Sequence, residues 1–298
     1  MAGAESAALA SAAAGVASAR PPTLWQRLRQ HRLFMTGALI FGLMLLLAIF
    51  ADLIQILPPE KMQVRLRFKT PDFPYPLGTD NYGRDIWSRL VHGARLSLAI
   101  GFAVALVTGI AGTVIGVVAG YFRRCDGPLM RMMDALMAFP AILLAIAIAA
   151  ALGPSAINAV IALATVYTPR TARIVRASVL VVREYEYVEA ARALGAGHAR
   201  ILFQHILANC LAPLLVQLTF IFAYAILAEA VLSFLGVGPP PPAPTWGSMI
   251  AEGKDYLREA PHICLFPGMA VALICLGINL LGDGLRDVLD PRLRVQIG

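Results

Sequence analysis

Long apolar blocks, separated by short charged or proline-rich stretches, restrict this chain more than any other feature. They fall at 34–57, 96–121, 133–152, 156 onward, 206–235 and 263–281. Crossing about 30 Å of hydrocarbon takes roughly 20 residues at about 1.5 Å each. Within that layer every backbone polar group must be bonded internally, which leaves only helices or closed barrels. Barrel strands are short and alternate in polarity; these blocks are unbroken, so they predict helices. A chain with 58% hydrophobic and 14% charged residues lies well outside the range of soluble domains. The expected fold is an all-α polytopic membrane protein with six transmembrane helices. The fourth block ends too early unless it continues through Pro169, which predicts a kink there.

Orientation follows from lysine and arginine. With the N-terminus in the cytoplasm, sixteen of these residues fall on the inner side and nine on the outer. The excess predicts N-in/C-in topology. The net charge of +7 mostly reflects this asymmetry and does not indicate nucleic-acid binding. Residues 1–22 are rich in Ala, Ser and Gly, have no basic start or leucine core, and read as a disordered cytoplasmic tail, not a cleaved signal. Cys125, Cys210, Cys264 and Cys275 have no metal-site spacing and read as apolar filler. The five histidines are equally scattered, so no metal site is expected.

Several features inside the blocks carry information. Gly112, Gly116 and Gly120 recur every four residues on the second span, a stripe that lets another helix approach closely. Arg170, Arg173 and Arg176 share one face beyond Pro169 and read as an anchor at headgroup depth. Glu229 is the acidic residue well inside a span, so it must face protein or water. It and Trp246 are candidates for an outer vestibule or for an interface with a partner subunit. In the first outer loop, Asp80 is placed to cap a short helix carrying Ile86, Trp87, Leu90 and Val91. Asp72, Asp80 and Asp85 fit no calcium loop. No Gly-x-x-x-x-Gly-Lys-Ser/Thr run and no nucleophile or zinc motif occurs, so no catalytic residue is expected. An ion-coupled secondary transporter remains a remote alternative, against which stand the single intramembrane acid and the lack of an evident repeat.

Glu189-Ala-Ala-Arg-Ala-Leu-Gly-Ala-Gly-His lies between the fourth and fifth spans on the inner side. It predicts two short helices meeting at a joint of small residues, with Gly195 or Gly197 ending the first in a left-handed cap. An interfacial helix would carry bulky apolar residues, so Glu189, Ala190, Ala191, Gly195 and Gly197 favour docking onto another protein.

This stretch, with Ile206 and Leu207 after it, resembles the cytoplasmic loop of ABC importer permeases; Ala208 stands where that family usually has Pro. Leu77-Gly-Thr-Asp-x-x-Gly-Arg-Asp-x-x-Ser-Arg and Glu229-Ala-Val-Leu-Ser-Phe-Leu-Gly-Val-Gly, followed by prolines and Trp246, narrow the likeness. They resemble the second permease of dipeptide and oligopeptide importers. The resemblance implies a type I importer bundle. It divides the chain into a tail (1–22), a first helix with its outer loop (23–93), a transmembrane core (94–284) containing a coupling loop (183–206), and a second tail (285–298). It further implies a heterodimer with a homologous permease, two ATP-binding subunits and an extracytoplasmic solute-binding protein, in the lipid of a cell (inner) membrane. ATP and Mg would sit on the ATPases, and no cofactor on this chain. Glutathione and nickel-chelate importers share these motifs and are the alternatives for cargo.

Overall fold

The computed structural model describes residues 23–289, which are overwhelmingly helical. The expected tail 1–22 and residues 290–298 lie outside them; residues 285–289, expected in the second tail, are the last turn of a helix. In chain order the helices are α1 (Leu24–Gln30), α2 (Arg32–Ile49), α3 (Ala51–Ile54), α4 (Ile86–Tyr121), α5 (Arg123–Met137) and α6 (Ala141–Leu152). Then come α7 (Ala156–Val182), α8 (Glu186–Ala193), α9 (His198–Phe234), α10 (Trp246–Gly253) and α11 (His262–Leu289).

Among the described residues, α2, α4, α9 and α11 are long and apolar enough to cross a membrane, and α5 with α6 makes a fifth if that bent pair is one span. The third span expected over 133–152 is divided between α5 and α6, which meet at 89°. Pro140 interrupts the helix at the junction. α5 is too polar to continue an apolar span, because Asp126 and Asp134 face α7. Arg176 forks onto Asp126 at 2.5 and 2.6 Å, and Arg173 reaches Asp134 at 2.6 Å. Two of the three arginines expected at headgroup depth therefore pin a neighbouring helix. Pro169 lies inside the unbroken α7, where Thr165 and Thr168 bond back to the carbonyls of Ile161 and Ala164.

The glycine stripe explains why α4 and α7 form the most intimate pair. A Cβ on Gly112 would lie 2.6 Å from Thr171 Cβ, on Gly116 2.6 Å from Ala172 O, and on Gly120 2.7 Å from Val179 Cβ. The stripe is a backbone-close seam inside the chain. α9 crosses both partners, and Ile100, Val104, Leu163, Ile221 and Leu232 fill the space between them. On the other side α2 lies on α11 through a second small-residue contact, Gly37 against the Leu281 and Gly277 backbone. Span one ends earlier than expected, at Ile49, because Arg95 on α4 bonds the carbonyls of Ala48 and Ile49, each at 3.1 Å.

Outside the hydrocarbon, α4 begins ten residues before the expected span, and Asp85 caps it through Ser88 N at 3.0 Å. Asp80 is not the cap. It is committed to a buried ion network in which Arg84 Nε (2.6 Å) and Arg89 Nη1 (2.5 Å) share its Oδ2. Both arginines also reach Glu252 on α10, Arg89 at 2.7 Å. Two cations and two anions close on one another, as burial requires. They tie the first outer loop to the segment between α9 and α11.

Gly116→Val is expected to destabilise the protein by about 1–3 kcal/mol through overpacking of the seam. Gly42→Ala, whose added Cβ meets nothing within 4 Å, should be neutral or slightly stabilising. Denaturant titration of the detergent-solubilised protein separates them, and equal effects would remove the seam from its structural role. Asp80→Asn should cost about 3–5 kcal/mol by stranding two buried guanidinium groups on one carboxylate. Faster proteolysis of the outer loop at 57–85 is the readout, and unchanged protection would contradict the network's role.

Candidate functional site: the small-residue elbow

The segment after α7 folds as an elbow whose shape follows from its small residues. α8 ends in a Schellman turn: Ala196 N–H donates to Ala191 O and Gly195 N–H to Arg192 O, each at 3.0 Å. Gly195 takes the left-handed position, with φ +82°, which a side chain would strain. Gly197 has an ordinary φ of −68° and starts the next helix. A Cβ at Gly197 would meet nothing within 4 Å. The chain's own packing and backbone therefore do not require glycine at 197, and its smallness is available to a neighbour.

The second arm is not a separate short helix, as the sequence had suggested. His198–Phe234 is one continuous rod that enters span five without a break. Residues Ile201–Leu207 form a π-helical stretch within it, a feature often found where function needs an irregular turn. The elbow's second arm and the long apolar helix are therefore one element.

The elbow is fastened from within. Val188, Ile201 and Ile206 are buried together with Val175, Val179, Val182 and Leu214. Tyr121 Oη meets His198 Nδ1 at 2.7 Å, Arg183 donates to Gly120 O at 2.9 Å, and Asn209 donates to Tyr187 Oη at 3.1 Å. The structure thus divides the expected site residues. Glu189, Ala190, Gly195 and Gly197 are exposed on the elbow, Ala191 and Leu207 are half-buried, and Ile206 is an anchor with no exposure. Leu194, at the apex, is 89% exposed, although nothing in the pattern had singled it out. Beside the elbow lies a cleft of about 620 Å³. Glu189 and Arg192 line it from α8, and Arg123 and Arg124 from the start of α5. The Tyr121–His198 contact was not legible in advance, because it joins residues far apart in the chain.

Glu229 and Trp246 lie at the opposite end. Glu229 has no exposure; Ser97 donates to it at 3.1 Å and Ser233 at 2.6 Å. Trp246 is 1% exposed, and its indole N–H donates to Leu90 O at 3.1 Å. Gly247 lets α10 sit against Ala230, since a Cβ there would be 2.4 Å from its carbonyl oxygen. Both residues close the α4–α9–α10 junction within this subunit, and neither presents a surface to its exterior.

Comparison with known proteins agrees with this architecture. Residues 112–295 match the family described as binding-protein-dependent transport system inner membrane component. Residues 23–71 match the N-terminal TM domain of oligopeptide transport permease C. A putative peptide transport system permease protein of Brucella abortus is 56% identical over 271 residues, 91% of this chain and 92% of that protein. The dipeptide transport system permease protein DppC of Alkalihalophilus pseudofirmus is 44% identical, over 91% and 89%. The glutathione transport system permease protein GsiD of Pectobacterium atrosepticum is 41% identical, over 91% and 90%. With its apolar helices, buried acid and small-residue elbow, the chain belongs to the binding-protein-dependent transport system inner membrane components and is a multi-pass permease subunit of the inner membrane.

Proposed function

We propose that this permease imports di- or oligopeptides by alternating access, as one of two homologous transmembrane subunits driven by two separate ATPases. A solute-binding protein delivers cargo to the outer loops. ATP and its magnesium ion are held by the ATPases, and this chain holds no cofactor and performs no hydrolysis. In this reading the chain crosses the membrane six times with both termini inside: α2, α4, the α5–α6 pair, α7, α9 and α11. Residues 23–93 form the first helix and outer loop, 94–284 the core, and 183–206 the coupling loop.

One observation carries the reading. The elbow exposes Glu189, Ala190 and Leu194 around a glycine at 197 that nothing in the chain itself needs. A groove on another protein supplies the reason for that smallness. Closure of the ATPase dimer would push the elbow, and the continuous α9 carries the push into span five. The buried cluster shared with α7 takes it into span four. Transport follows because the partner's contacts differ between the inward- and outward-open states. Peptide cargo rests on relatives whose names specify peptide and dipeptide transport. Glutathione, itself a tripeptide, is the second reading, favoured by the relatives named for it.

Gly197→Leu should leave stability within about 0.5 kcal/mol of wild type, yet reduce transport per ATP by at least about tenfold, equivalent to about 1.4 kcal/mol at the contact. Glu189→Lys should uncouple in the same way, with both variants still inserted in the membrane. ATPase rate and uptake are measured together in reconstituted complexes; normal coupling in both variants would overturn the docking assignment. Parallel uptake of labelled dialanine and labelled glutathione decides between the two cargo readings.

A further inference from the structure

A second cleft, of about 540 Å³, opens beside α9 between α7 and α11, away from the elbow's surface. Its volume falls in the range of small-molecule sites, about 300–1,000 Å³. Arg170 of α7 and Arg286 of α11 stand exposed at its margin, and neither pairs with an acid among the described residues. Gln217 lines the cleft from α9, two turns on from Asn209, which also lines it. Gln217 is only 6% exposed, and its carboxamide makes no hydrogen bond to another described residue. Phe220 and Val216 supply apolar wall.

Gln217 offers its carboxamide at the wall of this cleft. Its place in a cleft flanked by two cations points to a ligand that answers it. The guanidinium groups suit a carboxylate, which they grip through paired N–H donors. A carboxamide offers both a donor and an acceptor, which is what a peptide group presents in return. The glycerol esters of a phospholipid present acceptors alone, so they would leave the Gln217 carbonyl unanswered. We infer that this cleft is a cargo subsite in the cytoplasmic half of the permease. There Arg170 and Arg286 receive the C-terminal carboxylate of a short peptide, and Gln217 pairs with its backbone amide. The inference rests on the peptide reading of the function and assigns these residues to it. Asn209 extends the subsite toward the elbow, because its side-chain amide donates to Tyr187 Oη of α8 at 3.1 Å.

The test uses the complete transporter in nanodiscs, without nucleotide, carrying Ala212→Cys as a reporter on the cleft wall. Labelling of position 212 by a maleimide is followed by mass spectrometry. Dialanine at about ten times its Kd should slow labelling about tenfold, and its C-terminal amide should protect far less. Arg286→Gln or Arg170→Gln, checked for complex assembly, should weaken protection by about tenfold or more, with lysine at either position restoring part of it. Three results would overturn the subsite. One is no protection by dialanine although the wild-type complex imports it into proteoliposomes. The second is equal protection by the amide. The third is protection that appears only with phosphatidylglycerol in the disc and ignores dialanine, which marks a lipid headgroup site. Failure of wild-type complexes to import dialanine or trialanine would instead overturn the peptide reading beneath it.

Discussion

Backbone-to-backbone contact between α4 and α7 is the constraint from which most of this structure follows. Lipid tails are as apolar as leucine, so helices in a bilayer gain little from burying bulky side chains against one another. Close approach through small residues supplies the packing instead. Gly112, Gly116 and Gly120 bring α4 against Thr171, Ala172 and Val179. That contact sets where the cytoplasmic half of α7 lies. Its Arg173 and Arg176 then find Asp134 and Asp126 and lay α5 across the inner end. Arg183, two turns further, bonds the Gly120 carbonyl where α4 finishes. The elbow is thus built on a base whose position was already decided by three glycines.

The inner and outer ends of the bundle are secured by different means. At one end, charges are matched and largely shielded: Asp80, Arg84 and Arg89 are buried, and with the partly exposed Glu252 they join two segments distant in sequence. Glu229 is similarly enclosed, with hydroxyl groups as its partners. Networks of this kind are strongly position-demanding, because a half-satisfied one costs more than none. At the inner end the elbow combines a buried apolar root with an exposed surface of small residues and one projecting leucine.

Much of this was legible in the residues because the physics involved is local. Apolar runs, the bias of arginine and lysine, and the spacing of Gly112, Gly116 and Gly120 report on single helices and their immediate surroundings. The pattern around Glu189 likewise announced a glycine-jointed pair of helices, and the left-handed turn fell at Gly195, one of the two candidates. Misreadings occurred where local and distant demands competed. Asp80 has the right neighbours for a cap, but two buried arginines outbid the helix for its carboxylate. The third apolar block runs on past Pro140 in hydropathy, yet α5 turns away because its acids are claimed by α7.

The sequence by itself determined that this chain is a helical membrane protein with a small-residue elbow between apolar spans. Periodicity, length and charge bias need no knowledge of which helix touches which. Only the tertiary structure decided that Ile206 anchors while Leu194 projects, that Glu229 is enclosed, and that the elbow's second arm is span five itself. It also decided that Arg170, Gln217 and Arg286 share one cleft. Each of these depends on distances between residues remote in the chain, which are set by how closely helix backbones can approach and by which buried charges must find partners.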